Sequence, residues 1–175
     1  DYSRGVAIDS NNNVYITGYT QGDLDGNTNA GSYDAFLTKY DSDGDKKWTK
    51  MLGSDQSERS YGVAIDSNNN VYITGYTSGD LDGNTKAGGS DAFLTKYDSD
   101  GDKKWTQLLG PISGLEIPPG GVAIDSNNNV YITGITAGNL DGNTNVGGKD
   151  AFLTKYDSDG VKKWTKTLGS NQDDF

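Results

Sequence analysis

Residues 5–18 read GVAIDSNNNVYITG, and the same fourteen letters return at residues 62–75 and 121–134. The copies begin at Gly5, Gly62 and Gly121, so the 175-residue chain is one module written three times, with starts 57 and 59 residues apart. A nearly fixed internal period indicates a repeat architecture, in which each unit packs against its neighbours. Features that all three copies share are more typical of a scaffold than of a single active centre.

Alternating apolar residues and turn residues predict four strands in each copy. In the first copy the strand-like runs are residues 5–9, 14–20, 35–41 and 46–53. Asn, Asp and Gly separate the first pair of runs and the last pair, as in β-hairpins. No segment keeps a helical apolar period, so the sequence predicts an all-β chain.

Four-stranded repeats of this length, each too small to bury both of its faces, are typical of β-propeller blades. We expect three four-stranded antiparallel blades at about 5–53, 62–110 and 121–169, in a single domain covering 1–175 that is half or part of a larger ring. The last strand of each copy is rich in lysine, as expected of an outer edge strand. Trp48, Trp105 and Trp164 are predicted to lie buried between blades.

Two runs in the chain, GVAIDSNNNVYITGYT and GGSDAFLTKYDSDGDKKWTQLLG, resemble the bacterial SBBP β-propeller repeat. The resemblance covers all three copies. It implies a propeller fold and a secreted or cell-surface setting, and it brings no shared catalytic residues. The chain departs from the family pattern at Asn12, Asn69 and Asn128, where the family has Gly, and in the stretch 31–34 of the first copy. It also has three repeats, whereas propellers usually have at least four blades.

Three blades alone would leave two apolar blade faces in water, and we expect a partner to cover them. Four residues precede Gly5 and six follow Gly169, which together make a linker of the length found between copies. Two arrangements satisfy this expectation. The faces are covered either by further blades of the same protein or by a second copy of the chain, paired head to tail into a six-bladed ring.

Composition excludes several functions. The chain has 25 acidic and 15 basic residues and a net charge of −10, so nucleic acid and anionic membranes are poor partners. It has no apolar stretch of about 20 residues that would suggest a spanning helix. It has no cysteine, so we assign the location, extracellular or cell surface, from the family resemblance.

The residues needed for common catalytic sites are also scarce. The chain has no histidine, which excludes a Ser-His-Asp triad. Its only glutamates, Glu58 and Glu116, both fall in predicted linkers. We therefore expect a protein that is not an enzyme. An enzyme would need a cluster that does not repeat, and the candidate segment is residues 111–120.

The long loop between the second and third strands of each copy carries oxygen side chains at positions 1, 3, 5 and 12. This spacing is similar to that of calcium-binding loops, and Ca²⁺ is the predicted cofactor. The alternative is that Asp and Asn cap turns through their own backbone, and both interpretations stay open here. The third copy, which begins with Asn, should bind calcium more weakly because it lacks one charge. The twelve candidate ligands are Asp23, Asp25, Asn27, Asp34, Asp80, Asp82, Asn84, Asp91, Asn139, Asp141, Asn143 and Asp150.

Binding is the function that remains. The leading hypothesis is a non-catalytic binding or structural propeller module of a secreted or cell-surface bacterial protein, stiffened by calcium and used for adhesion or assembly. The alternative is a lectin with one sugar site per blade, in which Tyr19 and Tyr76 stack on surface glycans. Ile135 takes the equivalent position in the third copy and weakens that alternative. A protein ligand is the other partner considered.

Overall fold

The computed structural model describes residues 1–112 and 121–172, which form three separate four-stranded antiparallel sheets. Since these residues form no helix, they include no helical segment that could span a membrane. The all-β, three-blade prediction is confirmed. Blade 1 contains β1 (Tyr2–Ile8), β2 (Val14–Thr20), β3 (Asp34–Tyr40) and β4 (Lys46–Leu52); blade 2 contains β5 (Glu58–Ile65), β6 (Val71–Thr77), β7 (Ser90–Tyr97) and β8 (Lys103–Ile112); blade 3 contains β9 (Gly121–Ile124), β10 (Val130–Thr136), β11 (Asp150–Tyr156) and β12 (Lys162–Leu168).

Strand order within each sheet follows the chain, so the first and last strands are the two edges of every blade. The first strands of successive blades, β1, β5 and β9, lie next to one another, and the lysine-rich fourth strands are the opposite edges. This confirms the prediction that the last strand of each copy is an edge strand. The observed strands extend past the predicted blade limits at Tyr2, Glu58 and Ile112.

The turn between β1 and β2 explains the triple asparagine. The Asp9 carboxylate accepts hydrogen bonds from the backbone N–H groups of Asn11 (2.8 Å) and Asn13 (2.9 Å). Asn12 between them has a φ of 62°, in the left-handed region that Gly and Asn tolerate best. The same geometry recurs at Asn69 and Asn128, so asparagine can stand where the family has glycine.

The blades pack face to face through two apolar cores, one at each junction between blades. We call the face that a blade turns toward the next blade its trailing face, represented in blade 1 by Tyr15, Leu37 and Leu52. The opposite face is the leading face, represented in blade 2 by Ile73 and Phe93. Each junction joins the trailing face of one blade to the leading face of the next.

The two end faces have no such cover. On the trailing side, Leu37 and Leu94 are 0% exposed, but the equivalent Leu153 of blade 3 is 41% exposed. On the leading side of blade 1, Val6 and Ile8 are more than half exposed. The described chain thus ends in two open apolar faces, as the repeat count predicts, and the partner that covers them stays a prediction.

The three tryptophans show the same difference between closed and open faces. Trp48 lies against the β7–β8 turn at Gly101, and Trp105 lies against the β11–β12 turn at Gly160. Trp164 has no following blade and is exposed. Trp48 and Trp105 are half-buried between blades, and the prediction of equivalent burial is wrong for Trp164, because no further blade packs on it among the described residues.

Candidate functional site

The first half of each predicted calcium loop is a tight turn. In blade 1, Leu24 and Asn27 exchange two backbone hydrogen bonds of 2.9 and 3.0 Å. Asp25 and Gly26 between them both have positive φ, 50° and 79°. This is the backbone of a type I′ hairpin turn, for which Asp-Gly is a preferred pair. The Asp-Gly pair is therefore needed for the turn itself.

The oxygen atoms at positions 1 and 3 already accept hydrogen bonds. The Asp23 carboxylate accepts the backbone N–H of Asn29 at 2.9 Å. The Asp25 carboxylate pairs with Lys46 and accepts the Thr49 hydroxyl at 2.6 Å. The Lys46 contact is the main reason that the pKa of Asp25 lies below its usual value. The two carboxylates thus have separate partners.

At position 5, Asn27 acts as a hydrogen-bond donor. Its side-chain nitrogen donates to the carbonyl oxygens of Leu24 at 3.0 Å and of Thr49 at 3.2 Å. The Thr49 contact ties the loop to strand β4. The side chain of Asn27 therefore holds the turn against the sheet.

At position 12, Asp34 is buried at the start of β3. Its Oδ2 accepts the backbone N–H of Ala30 at 2.8 Å, and its Oδ1 has no hydrogen-bond partner among the described residues. Gly53 lies so close that a Cβ atom there would be 2.2 Å from the Asp34 Cγ. Burial raises the pKa of Asp34. The Asp34 carboxylate therefore links the end of the loop to Gly53, the residue after β4.

The other two copies repeat this arrangement. No group of three or more carboxylates gathers around one point in the part of the chain that the structure describes. All twelve candidate residues have hydrogen-bond partners within the protein, either loop and strand backbone groups or, for the Asp at position 3, Lys and Thr side chains of the fourth strand. Calcium binding stays a prediction. In blades 2 and 3 the equivalent contacts are those of Asp80 with Lys86, Asp82 with Lys103 and Thr106, Asn84 with Leu81 and Thr106, Asp91 with Ala87, Asn139 with Asn145, Asp141 with Lys162 and Thr165, Asn143 with Leu140 and Thr165, and Asp150 with Val146.

A different group of side chains gathers at the junction of blades 1 and 2. We call it the arginine–tyrosine cluster. The chain has only two arginines, and both belong to it. They lie near the beginnings of β1 and β5, at the end of the sheets from which the β2–β3 loops leave. The members of the cluster are Arg4, Arg59, Tyr2, Tyr19, Tyr33, Tyr61 and Tyr76.

Arg59 lies among three rings. Its guanidinium carbon is 4.1 Å from the ring centre of Tyr33, 5.0 Å from that of Tyr19 and 5.9 Å from that of Tyr76. These distances are those of cation–π contacts. Its Nε is buried and has no hydrogen-bond partner among the described residues.

Arg4 approaches the same rings from β1. It donates to the Tyr19 hydroxyl at 2.7 Å, and its guanidinium carbon is 5.4 Å from the centre of that ring. The Tyr2 ring stacks on Tyr19 at 5.0 Å between ring centres. Tyr2 is 49% exposed, so the cluster reaches the surface.

The cluster does not repeat, unlike the scaffold around it. Arg4 corresponds to Tyr61 in the second copy, and Tyr33 corresponds to Ser90 and Lys149. The sequence interpretation missed this group because it looked for unique chemistry in residues 111–120. Two signals could have revealed it: both arginines lie just before a repeat start, and Tyr33 falls in the stretch 31–34 where the first copy departs from the others.

The aromatic residues assigned to the lectin alternative do not fit that role. Tyr19 is 5% exposed and Tyr76 is 1% exposed, so neither ring offers a free face for a sugar. Burial raises the pKa of Tyr76 to about 12, which keeps its hydroxyl protonated. Their rings instead form the walls around the two arginines.

Of the two glutamates of the chain, the structure describes Glu58. Glu58 lies in β5 rather than in a linker, and it is fully buried. Its carboxylate accepts hydrogen bonds from the backbone N–H of Ser54 (2.6 Å) and the hydroxyl of Thr77 (2.6 Å). Burial raises its pKa. Glu116, with the segment 113–120, lies outside the described residues.

Comparison with known proteins agrees with the repeat architecture. The family model of the β-propeller repeat SBBP matches residues 1–25, 47–82 and 104–141, which together exceed half of the chain. The chain is 29% identical over 167 residues to Regulatory protein FlaEY of Caulobacter vibrioides, covering 87% of this chain and 17% of that protein. It is 25% identical over 205 aligned residues to the uncharacterized WD repeat-containing protein L264 of Acanthamoeba polyphaga mimivirus, covering 95% of this chain and 14% of that protein. The chain therefore spans less than a fifth of each of these two relatives.

Proposed function

Because this chain belongs to the SBBP β-propeller repeat family, we propose that it is a non-catalytic binding and assembly module whose two open faces pair head to tail with those of a second copy. The observation that carries the proposal is that both internal junctions use the same contacts. The donor half of each contact is present on the open face of blade 3, and the acceptor half is present on blade 1. Two copies would form two more junctions of the same kind and close a six-bladed ring.

Lysine contacts show this periodicity. The Lys39 ammonium of blade 1 donates to the Ser99 carbonyl of blade 2 at 2.9 Å. The Lys96 ammonium of blade 2 donates to the Ser158 carbonyl of blade 3 at the same distance. Lys155 is the next in the series, and its counterpart is the Ser42 carbonyl of a second copy.

The β1–β2 turns make an equivalent series. The Ser10 hydroxyl donates to the Asn69 side-chain oxygen at 2.9 Å, and the Ser67 hydroxyl donates to that of Asn128 at 3.0 Å. The next pair in this series is Ser126 with Asn12 of a second copy. These polar contacts would fix how two copies align. Burial of Trp164 and of the exposed Leu168 would supply the apolar contact area.

Engineered disulfides test the pairing directly, because the chain has no native cysteine. The variant with Ser126→Cys and Asn12→Cys should form a covalent dimer in mild oxidant, visible on a non-reducing gel. The matched control combines Ser67→Cys and Asn128→Cys, which mark an existing junction and should crosslink within one chain. If the control cysteines at 67 and 128 crosslink while those at 126 and 12 do not, the proposed pairing is contradicted.

We further propose an extracellular or cell-surface setting and a role in adhesion or assembly. The family resemblance supports this setting, and the net charge of −10 separately disfavours nucleic-acid partners. The name of one relative calls that protein regulatory, and regulation through binding is compatible with a module of this kind. Protease accessibility of the protein on intact cells measures the location, and complete protection would contradict it.

A further inference from the structure

We propose that the arginine–tyrosine cluster is a binding site for a carboxylate group of a small acid or an acidic sugar. The site lies at the junction of blades 1 and 2, within a single copy of the chain. It therefore does not depend on pairing between copies. Its failure would leave the pairing proposal intact, and the reverse also holds.

Charge pairing distinguishes the two arginines from the lysines. Among the described residues, seven lysines form ion pairs with aspartates, for example Lys46 with Asp25 and Lys104 with Asp98. Neither Arg4 nor Arg59 forms an ion pair with any carboxylate of the described residues. In a chain with 25 acidic residues, two neighbouring arginines without a carboxylate indicate that their anion comes from outside.

The packing around Arg59 holds its guanidinium beside the Tyr33 ring. A ring at 4.1 Å covers one face of the guanidinium, and its N–H groups point outward in the guanidinium plane. A carboxylate is planar and accepts two parallel N–H donors in that plane, which is the favoured geometry of arginine–carboxylate pairs. The Nε of Arg59 is buried and has no hydrogen-bond partner among the described residues, so the donors offered to an acid are the terminal nitrogens of Arg59 and of the exposed Arg4.

The nearby carboxylates do not neutralise the cluster. Glu58 and Asp34 are buried and accept hydrogen bonds from other groups, mainly backbone N–H and Thr77. Burial raises the pKa of both. Among the described residues, neither carboxylate accepts a hydrogen bond from Arg4 or Arg59.

The site is also open to ligand. Arg4 and Tyr2 are exposed, while Tyr33 and Arg59 are half-buried. All four lie on the side of β1 and β5 where blade 1 meets blade 2. A second copy would cover the opposite, leading face of blade 1, at Val6 and Ile8.

The test uses the two arginine Nε–H signals of the ¹⁵N-labelled protein, which are assigned by one substitution because the chain has only two arginines. The probes are sodium galacturonate and sodium succinate, with neutral galactose and sodium chloride as controls at matched ionic strength. Saturable shifts of both signals with the acids alone support the site. Stronger binding of galacturonate assigns an acidic sugar, and equal binding assigns a small acid. No shift with either acid, or equal shifts with galactose, overturns the proposal.

Variants separate binding from folding. Arg4→Gln changes an exposed residue and should weaken acid binding at least tenfold without altering the far-UV circular dichroism. Arg59→Lys keeps the charge but loses the planar fork, and the same loss is expected. Lys166→Gln removes an equal charge from an exposed position on β12 and should leave the affinity unchanged. If Lys166→Gln weakens acid binding as much as Arg4→Gln does, the binding comes from general charge attraction, which contradicts the assigned site.

Discussion

Three equivalent turn glycines allow the energy of one blade junction to be measured. Gly44, Gly101 and Gly160 have φ values of 86°, 83° and 83°. A Cβ at Gly160 would lie 2.9 Å from the Trp105 ring, whereas a Cβ at Gly44 would meet nothing within 4 Å. Alanine at each position therefore carries the same backbone cost. Gly101→Ala and Gly160→Ala also disturb a junction, whereas Gly44→Ala in a single copy does not.

The expected costs follow from these contacts. A left-handed alanine costs about 1–2 kcal/mol, which is the whole expected effect of Gly44→Ala in a single copy. The overlap with Trp105 adds about 1–3 kcal/mol, as overpacking in a filled core does. Gly160→Ala should thus lower the free energy of unfolding by about 2–5 kcal/mol in total.

Urea unfolding followed by circular dichroism measures both variants, at a dilution where single copies dominate. At high protein concentration a second copy would bring its Trp164 onto the Gly44 turn, and the cost of Gly44→Ala should rise toward that of Gly160→Ala. Equal costs for the two variants at high dilution would mean that the tryptophan contact contributes nothing to stability, which contradicts the packing of Trp105 on Gly160.

Three further predictions concern packing, pH and calcium. In urea, Leu94→Ala should lower the free energy of unfolding by about 2–5 kcal/mol. The equivalent Leu153→Ala should lower it clearly less in dilute protein, because Leu153 is already partly exposed. Equal losses in dilute protein would contradict an open end face. The Asn129 side chain and the other donors of its turn lower the pKa of Asp125 to about 2, so its stabilising contribution is complete above the unfolded pKa near 4 and is lost as the pH falls from about 5 to about 2. Thermal midpoints across that range should fall less steeply in Asp125→Asn, and an unchanged slope would argue against this linkage. If the twelve loop residues bind calcium, a concentration of about 100 times the dissociation constant adds about 2.7 kcal/mol and raises the thermal midpoint by several degrees over chelator. Magnesium is the control, Asp25→Asn combined with Asp82→Asn should reduce the shift, and an unchanged midpoint would contradict calcium binding.

The repeat made the fold predictable from sequence. Identical runs such as residues 5–18 and 62–75 place strands and turns in the same way three times, and the observed sheets follow them. Trp164 shows the limit of the same logic. Its sequence neighbourhood is that of Trp48 and Trp105, but its burial depends on a neighbouring blade, which repeat similarity alone does not provide.

The candidate sites were less predictable, because side-chain oxygens have two uses. The spacing of Asp23, Asp25 and Asn27 is compatible both with a cation loop and with a capped turn, and only the contacts show Asn27 donating to carbonyl oxygens. The arginine–tyrosine cluster brings together residues from blades 1 and 2, such as Tyr33 and Arg59, which are 26 positions apart. Reading each repeat separately could not reveal a site built between repeats.

Sedimentation equilibrium over a wide concentration range measures the mass of the chain in solution and so decides whether its end faces pair. Paired end faces predict a closed species of about twice 18.7 kDa, which dissociates on dilution and is lost in Leu168→Asp. A single copy of 18.7 kDa at every concentration, or open assemblies that keep growing, would contradict it.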